Sequence, residues 1–382
     1  MKILFFILFI TLASSKPLKI AIFDIGNADS QLIIFPSGYS ILIDAGDSSG
    51  SYGEAGKNGK YLAKRIEALL GHKKIDVMVL THYHVDHMGG YKKGGFWYLV
   101  EKKGFKVGKF LKRNAGTYKG SSMSGCSKSK VTWKYVGKIA ESSAKFLCYA
   151  TGPNMKTKLS KVAENAHRCN DKQITPPDAG AKVTVLIRDA LGVKQNNGKK
   201  LSRNSMKEKV PVGENDFSIC MRIQYGDFVY ATCGDLSGYE YTYSDGTYAY
   251  HDVETSVAPM MGEVDLLKVN HHGSKSASNT KWCKTLKPTV SVITCNASSH
   301  PQSRPMKNLN AVGTYFYTTG TKCKQSEVNK YKNLTEMGDD VIITYTKGDK
   351  TFKVENSAGK KAKTFNIKTN KTAPKTCVKL EN

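Results

Sequence analysis

The chain has 382 residues, of which 40% are hydrophobic, and this is enough for one large domain or two medium ones with a real core. Composition therefore argues against a disordered chain. Lysine and arginine number 58 against 32 acidic residues, a formal net charge of +26, and only seven of the 58 are arginine. A field of lysine point charges indicates a polyanionic partner, although a basic surface can also serve solubility or an acidic compartment.

The N-terminus is predicted to be a cleaved signal peptide over residues 1–15. Lys2 is followed by the apolar run 3–12 and then by Ala13-Ser14-Ser15, small residues of the kind that signal peptidase requires. A membrane anchor is the alternative, but a bilayer needs roughly 20 apolar residues and this run is about half that length. No later run is long enough to cross a bilayer. We therefore expect a secreted protein, or one in the lumen of the secretory pathway, without stable membrane insertion.

Nine cysteines remain after residue 15, and none shows the CxxC spacing of a structural zinc site. Disulfides are predicted, with at least one thiol left free or intermolecular. Cys220 and Cys233 lie in apolar strand-like runs, where inert core cysteines are an equal alternative. Two glycosylation sequons, Asn333-Leu334-Thr335 and Asn370-Lys371-Thr372, agree with secretion.

Apolar alternation and β-branched runs predict a series of strands, with one early helix over 59–70. The predicted strands cover 18–24, 31–36, 39–44, 75–80, 219–224, 228–232, 264–269, 289–294, 341–345 and 351–354. Three of these strands are followed directly by polar residues whose side chains could act as ligands. They are 39–44, 75–80 and 264–269. The strand 228–232 is likewise followed by Gly234-Asp235. Ends of buried strands are where α/β sheets place their chemistry.

Between the predicted strands lies a strongly basic stretch. From 102 to 140 there are eleven basic residues and no acidic one, with aromatic residues interleaved. It predicts a basic, loop-rich insertion over about 102–213 within a main domain of 16–355. Residues 356–382 are rich in Lys, Thr and Asn and are predicted to form a loosely held tail.

The strand 75–80 stops at Thr81-His82-Tyr83-His84-Val85-Asp86-His87. His82 and His84 are spaced i, i+2 and so lie on one face of an extended segment, while Asp86 and His87 can face a second ion. Without metal, three histidines and an aspartate packed together would suffer desolvation and like-charge repulsion. The run therefore predicts a site for two divalent ions.

At this motif the chain resembles a known family, because HxHxDH is the signature of metallo-β-lactamase-fold hydrolases. Further blocks resemble the ComEC-type branch, which includes the nuclease domain of bacterial DNA-uptake proteins. These blocks are 23–30, Leu42-Ile43-Asp44-Ala45-Gly46, Gly234-Asp235 and 267–274. The resemblance implies an α/β fold, an αββα sandwich of two mixed sheets packed face to face, with helices outside and the site at one edge.

Carried onto this chain, the resemblance implies a set of metal ligands. His82 and His84 would bind one ion, Asp86 and His87 the other, and Asp235 would bridge them. Either His271 or His272 completes the set, and His271 is favoured as the ligand. Asp44 would orient a ligand histidine, unless it is only a turn residue. The fold family does not decide between zinc, the first expectation, and manganese.

Other residues are predicted to act on the substrate. Asp86 and His272 are assigned catalytic roles beside the metals, while Lys268, Ser274 and His300 would face the substrate or protonate the leaving group. Many family members carry one more histidine before the bridging aspartate. Here the corresponding block is 214–218, without histidine, which predicts a weaker second metal site.

The charge decides between substrates, since the fold alone serves esters, lactones and phosphodiesters alike. Our leading hypothesis is a secreted nuclease in which a metal-bound hydroxide attacks phosphorus, with DNA preferred through the resemblance. The first alternative is a hydrolase of small esters, lactones or cyclic nucleotides. The second is a cationic binding protein on a degenerate hydrolase scaffold, which the complete ligand set disfavours. The sequence does not assign an oligomeric state.

Overall fold

The computed structural model describes residues 16–47, 57–194, 198–202 and 204–378. The predicted signal peptide, residues 1–15, lies outside the described residues. Among the helices of the described part, none has the length and apolar character needed to cross a membrane.

Two mixed β-sheets form the centre of the molecule. The strands of the first sheet, in spatial order, are Lys363–Asn366, Thr351–Asn356, Val341–Tyr345, Leu18–Ile22, Gln31–Ile34, Ser40–Ile43, Lys74–Leu80, Lys106–Lys112 and Ala163–Asn165. Those of the second are Leu334–Glu336, Tyr315–Thr318, Val290–Ile293, Leu266–Lys268, Phe228–Thr232, Cys220–Tyr225 and Ala181–Ile187. Every predicted strand is present within a few residues of its expected bounds.

Alternation along the strands divides the apolar residues among three cores. Ile41 and Ile43 point towards the second sheet, where they share a core with Ile223 and Val290. Leu42, between them in sequence, points to the opposite face and packs in the core under the helices Lys57–Leu70 and Glu141–Thr151. A third core lies between the second sheet and the helices Glu254–Met261, Thr280–Leu286 and Ser303–Asn310. The layers are thus helix, sheet, sheet, helix, and the predicted αββα sandwich is confirmed.

Shorter elements complete the chain. They are the helices Val85–Met88, Gly95–Trp97, Tyr98–Lys102 and Gln325–Val328, and the 3-10 turns Met123–Gly125, Lys128–Lys130, Ser160–Val162, Ser205–Lys207, Glu214–Phe217 and Asn270–Gly273. Two small hairpins pair Gly116–Thr117 with Thr132–Trp133 and Tyr241–Thr242 with Ala249–Tyr250.

The prediction that residues 102–213 form a loop-rich insertion is wrong for two segments of this range, which form strands of the main sheets. Lys106–Lys112 pairs in parallel with Lys74–Leu80 in the first sheet, and Ala181–Ile187 pairs with Cys220–Tyr225 in the second. The first half of Lys106–Lys112 alternates exposed and partly buried positions and contains two lysines and a glycine, so its apolar signal is weak. The segment is therefore part of the main sandwich.

The C-terminal residues are also more firmly held than predicted. Lys363–Asn366 forms an edge strand of the first sheet, and a disulfide joins Cys377 to Cys169. The other disulfides are Cys126–Cys148, Cys220–Cys233 and Cys295–Cys323, while Cys283 is a buried free thiol. Cys220 and Cys233 are therefore paired. Of the sequons, Asn370 is exposed, whereas the Asn333 amide is half-buried and donates to the Thr314 carbonyl at 2.6 Å.

A fully buried arginine joins the basic segment to the strand end that carries the histidines. The Arg113 guanidinium donates to both carboxylate oxygens of Glu214, at 2.8 and 2.7 Å, and to Asp189 at 2.6 Å. Glu214 also accepts the Tyr83 backbone N–H at 3.0 Å. Because Tyr83 stands between His82 and His84, this ion pair fixes the histidine segment.

We expect Glu214→Gln to lower the free energy of unfolding by about 3–5 kcal/mol, because it leaves the buried Arg113 charge only partly compensated. Urea denaturation measures the loss. The matched control is Glu164→Gln, since Glu164 forms an exposed pair with Lys109 at 3.6 Å and such pairs contribute about 0–1 kcal/mol. A loss no larger than that of the control would contradict a structural role for the buried pair.

Candidate metal centre

The candidate site lies where parallel strands of both sheets end. Ser40–Ile43 leads into Asp44, Lys74–Leu80 into the histidine segment, and Phe228–Thr232 into Gly234-Asp235. Leu266–Lys268 leads into His271 and His272. Parallel pairing puts the carboxyl ends of these strands at one edge of each sheet, which brings together side chains that are far apart in sequence.

Asp44 holds the histidine segment at both ends. Its carboxylate accepts the Thr81 N–H at 2.8 Å and the Thr81 hydroxyl at 2.7 Å, and it lies 2.8 Å from His87 Nδ1. The backbone φ of 58° also makes it a turn residue, so both sequence-based interpretations describe it. A carboxylate can only accept, so the His87 Nδ1 atom carries the proton and the lone pair at Nε2 points into the site.

His272 is oriented in the same way. Its Nδ1 atom lies 2.9 Å from the Thr294 carbonyl oxygen, which can only accept a hydrogen bond. The proton therefore lies on Nδ1 and the lone pair on Nε2, the form in which histidine binds metals.

Four ligand atoms converge at the centre of the site. His87 Nε2 lies 3.1 Å from Asp235 Oδ1 and 3.9 Å from Asp86 Oδ2. His272 Nε2 lies 3.4 Å from Asp86 Oδ2 and 3.9 Å from Asp235 Oδ1. A tetrahedral ion with bonds of about 2.0–2.2 Å holds its ligand atoms about 3.4 Å apart. These separations therefore fit one divalent ion.

The hydrogen bonding of the same atoms supports that fit. His87 Nε2, His272 Nε2 and Asp235 Oδ1 are buried and have no hydrogen-bond partner among the described residues. Buried polar atoms rarely stay unpaired, because each costs the free energy of its lost hydration. Three such atoms facing one point are explained by a cation that binds them together.

The second oxygen of Asp235 faces other histidines. Asp235 Oδ2 lies 3.7 Å from His271 Nε2, while His82 Nε2 lies 3.0 Å from His84 Nδ1. The His82 and His87 rings are neighbours, with centroids 4.2 Å apart. His82, His84 and His271 thus lie beside the quartet formed by Asp86, His87, Asp235 and His272. The sequence analysis favoured His271 as the metal ligand, whereas the structure places His272 in the quartet.

Electrostatics in the metal-free protein follow from burial and mutual contact. Burial opposes a charge on His87, but Asp235, Asp44 and Asp86 together raise the pKa of His87 well above its usual value. Burial, then His87 and His84, lowers the pKa of His82 well below its usual value. Protonated His87 therefore supplies part of the positive charge that the carboxylates require.

Lys268 does not face the substrate, so that prediction is wrong. Its ammonium group is fully buried and pairs with the Asp29 carboxylate, and it also donates to the Gly234 carbonyl at 3.3 Å. Asp29 lies 3.7 Å from His87 Nδ1 and 3.5 Å from His272 Nδ1, behind both metal-facing edges. Asp29 groups with His87, Asp235 and His272 as a possible metal-binding set, but its charge is matched by Lys268. Lys268 and Asp29 thus position the histidines.

Asp29 was missed as a functional residue by sequence reasoning, although it stands in one of the family-like blocks. Asn215 was missed too. Its amide nitrogen lies 3.3 Å from the His271 ring, and its carbonyl oxygen is buried without a partner among the described residues. The signal was its place in the block where related sequences carry a histidine.

The two remaining predicted residues line the site. Ser274 contacts the Ser276 hydroxyl at 3.2 Å, and Ser276 in turn lies 3.0 Å from His271 Nδ1. The His300 ring lies 6.2 Å from that of His271 and 6.0 Å from that of His272. Burial, then His272 and His271, lowers the pKa of His300 to about 3. A neutral His300 is better suited to hydrogen bonding with a substrate oxygen than to protonating a leaving group.

Comparison with known proteins supports the family assignment. The model of the metallo-beta-lactamase superfamily matches residues 26–93, which contain Asp29, Asp44 and the whole histidine segment. Among curated proteins no match is found. The ComEC-type branch stays a prediction.

Solved structures with similar folds were also found. One is a diphosphatase from the PhnP family, with 13% identity, a TM-score of 0.39, and coverage of 86% of this chain and 97% of that one. Another, from Parabacteroides distasonis, is named provisionally as a metal-dependent hydrolase; it has 9% identity, a TM-score of 0.37, and coverage of 79% and 93%. The third is a protein of unknown function from Enterococcus faecalis, at 8% identity and a TM-score of 0.33, with coverage of 84% and 73%. Scores this low add nothing to the fold assignment.

The αββα sandwich agrees with the metallo-β-lactamase fold, and residues 26–93 match the model of that superfamily. The buried histidine and aspartate cluster could hold a divalent metal ion. The identity of the metal is open.

We expect His272→Ala to remove about one divalent ion per chain, because it deletes one of four ligands of a tetrahedral site. Metal content after dialysis against zinc or manganese measures this. His271→Ala should retain the ion of the quartet, and His167→Ala, at an exposed position, should retain all metal. If His271→Ala lost that ion and His272→Ala retained it, His271 would be the ligand, as the sequence analysis favoured.

Proposed function

We propose that this chain is a metal-dependent phosphodiesterase that cuts nucleic acid, with DNA the preferred substrate. The observation that carries the proposal is a cavity of about 680 Å³ beside the metal-binding segment, with three lysines and one acidic residue, Glu141, in its lining. Val85, between His84 and Asp86, forms part of its wall together with Tyr91, Lys92, Lys93 and Lys145. A polyanion bound along these lysines would pass next to the metal ligands.

The charge of the whole chain favours the same substrate. A formal charge of +26 attracts a polyphosphate backbone and raises the rate of encounter with it. A small neutral ester or lactone gains nothing from such a field. The lysines would neutralise phosphates at some distance from the scissile bond, and the metal centre would act at that bond.

The separations of the quartet fit one divalent ion, and the neighbouring histidines would hold a second. One would be held by Asp86, His87, Asp235 and His272, and the other by His82 and His84, with Asp235 between them and His271 at its second oxygen. When bound, the ions would lower the pKa of a water and stabilise charge on the phosphodiester oxygens. Asn215, whose carbonyl oxygen is buried and has no partner among the described residues, would lie beside this second ion, since its amide nitrogen is 3.3 Å from the His271 ring.

The chain's own residues set the conditions for that chemistry. Asp44 and the Thr294 carbonyl hold the Nδ1–H groups of His87 and His272, so the Nε2 atom of each ring faces the site and can bind metal once it gives up its proton. His300 lies at the same edge and can hydrogen bond to a substrate oxygen. Four disulfides suit an oxidising compartment, and we place the protein on the secretory route for that reason.

Cleavage of linear DNA, circular DNA and RNA by the purified protein tests the proposal directly. We expect DNA cleavage that EDTA abolishes and that added zinc or manganese restores, because the ligands are useless without the ion. His84→Ala should fall to the level of the EDTA-treated protein, whereas His167→Ala should cleave normally. The circular substrate separates internal from terminal cleavage.

Metal binding without cleavage of any nucleic acid would overturn the proposal. Activity on lactones, small esters or cyclic nucleotides would then establish the first alternative. No hydrolysis at all, with tight and salt-dependent DNA binding, would instead favour a cationic binding protein.

The lysine cavity makes a second prediction. For Lys92→Gln/Lys93→Gln/Lys145→Gln, the slope of log affinity against log salt should fall by about 0.9 for each phosphate that the variant no longer neutralises. DNA binding measured from low to high salt gives the slope. Lys60, Lys64 and Lys73 line another cavity along the helix Lys57–Leu70, and their triple glutamine variant is a charge-matched control. Equal slopes for the two triple variants would contradict a specific role for the cavity beside the metal segment.

A further inference from the structure

A tyrosine-rich hairpin stands beside the metal centre, in the connection between the strands Phe228–Thr232 and Leu266–Lys268. Its two short strands, Tyr241–Thr242 and Ala249–Tyr250, pair so that Tyr241 is opposite Tyr250. The tyrosines of this hairpin and its approach are Tyr239, Tyr241, Tyr243, Tyr248 and Tyr250. No motif in the sequence pointed to a role for this segment.

The rings form a continuous series that ends at a histidine of the site. Tyr243 and Tyr248 are stacked, with centroids 4.1 Å apart and planes inclined by 30°. Tyr248 contacts Tyr250 at 5.3 Å, and Tyr250 lies edge to face with His271 at 5.8 Å. The Tyr250 hydroxyl also lies 3.3 Å from the Asn215 amide nitrogen. The hairpin thus leads from the surface to the metal ligands.

Cations lie over several of these rings. Lys275 Nζ is 4.4 Å from the Tyr241 ring centre, and Lys138 Nζ is 5.4 Å from that of Tyr248. The Arg304 guanidinium lies 4.4 Å over Tyr239. All three cations are exposed and come from separate parts of the chain, Lys138 from the basic segment 102–140. Three of these rings therefore each have an exposed cation beside them.

Core packing does not account for this arrangement. Tyr241, Tyr243 and Tyr248 are partly exposed, and none of them belongs to the three cores formed by the described residues. Partly exposed aromatic rings at a cluster of lysines resemble the surfaces that bind unpaired bases, where each base stacks on a ring and lysines contact the phosphates.

We infer that this hairpin, with Lys138, Lys275 and Arg304, is a stacking platform for single-stranded nucleic acid. The inference rests on the proposed function and makes it more specific. Bases stack on Tyr243 and Tyr248, the cations contact the backbone, and the strand continues past Tyr250 to the metal centre.

Single strands suit the platform better than duplexes for a geometric reason. In a duplex the faces of the bases are covered by neighbouring base pairs, so tyrosine rings reach only the backbone. An unpaired base presents its face to a ring, and the contact tolerates any sequence. The lysines alone would bind both forms through phosphate charge.

Binding to strands that resist hydrolysis tests the inference on the metal-loaded protein. Fluorescence anisotropy would compare a labelled phosphorothioate single strand of about 16 nucleotides with the same strand in a duplex. We expect Tyr243→Ala and Tyr248→Ala each to weaken single-strand affinity by about 5- to 100-fold, because the base stacking is removed. Duplex affinity should change less than about two-fold, and Tyr243→Phe should retain single-strand binding.

The matched control is Tyr98→Ala, because Tyr98 also carries a lysine, Lys103, at 5.7 Å from its ring centre but lies on the helix Tyr98–Lys102. It should leave both affinities unchanged. Circular dichroism and metal content check that each variant is folded and loaded. Single-strand affinity within about two-fold of the wild type in both alanine variants, or equal losses on single strand and duplex, would overturn the platform.

These outcomes are separate from the failure of the proposed function. Wild-type protein that cleaves DNA while the tyrosine variants bind single strands normally would overturn the platform alone. Wild-type protein that binds single strands through the tyrosines but cleaves no nucleic acid would support the platform and overturn the nuclease.

Discussion

The buried Asp44 carboxylate is the constraint on which the site depends. It accepts from Thr81 at the start of the histidine segment and from His87 at its end, so one side chain fixes both ends of the loop. Burial raises the pKa of Asp44, and the Thr81 and His87 contacts oppose that rise. The backbone must also approach closely, because a Cβ on Gly46 would lie 1.8 Å from the Asp86 carbonyl oxygen. No side chain fits there.

Holding the three buried carboxylates of Asp29, Asp44 and Asp235, and the half-buried carboxylate of Asp86, beside several histidines has an electrostatic cost. Asp29 is matched by Lys268, but Asp44, Asp86 and Asp235 share the histidines. Without metal, the protein meets this demand by protonating histidine, which is why the pKa values of His87 and His272 are raised although burial opposes it. A divalent ion would replace those protons, so metal affinity and protonation compete for the same nitrogen atoms.

The sequence predicted most of the sandwich, because largely apolar runs such as 228–232 are buried on both faces. Among the strands it missed are Lys106–Lys112 and Ala181–Ile187, whose first halves contain lysine and exposed positions. In the site, short-range spacing identified the histidine segment. Spacing could not decide which of His271 and His272 is the ligand, because the direction of each ring depends on the backbone. Both residues have left-handed backbones, with φ of 50° and 51°. The place of Lys268 depended on Asp29, 239 residues away.

The candidate metal ligands and the proposed stacking platform belong to different parts of this fold. The ligand side chains follow strands that the three cores hold in place, whereas the tyrosine hairpin belongs to a connection between two of those strands. The connection is firmly attached, because buried Glu254 accepts hydrogen bonds from Asn270 at 2.7 Å and from the Ser278 and Asn279 backbone N–H groups. Exposed residues on the hairpin are therefore positioned rigidly relative to His271 without contributing to the sheet. Substitutions in a connection of this kind can alter which substrate binds, while the metal ligands stay where the strands place them.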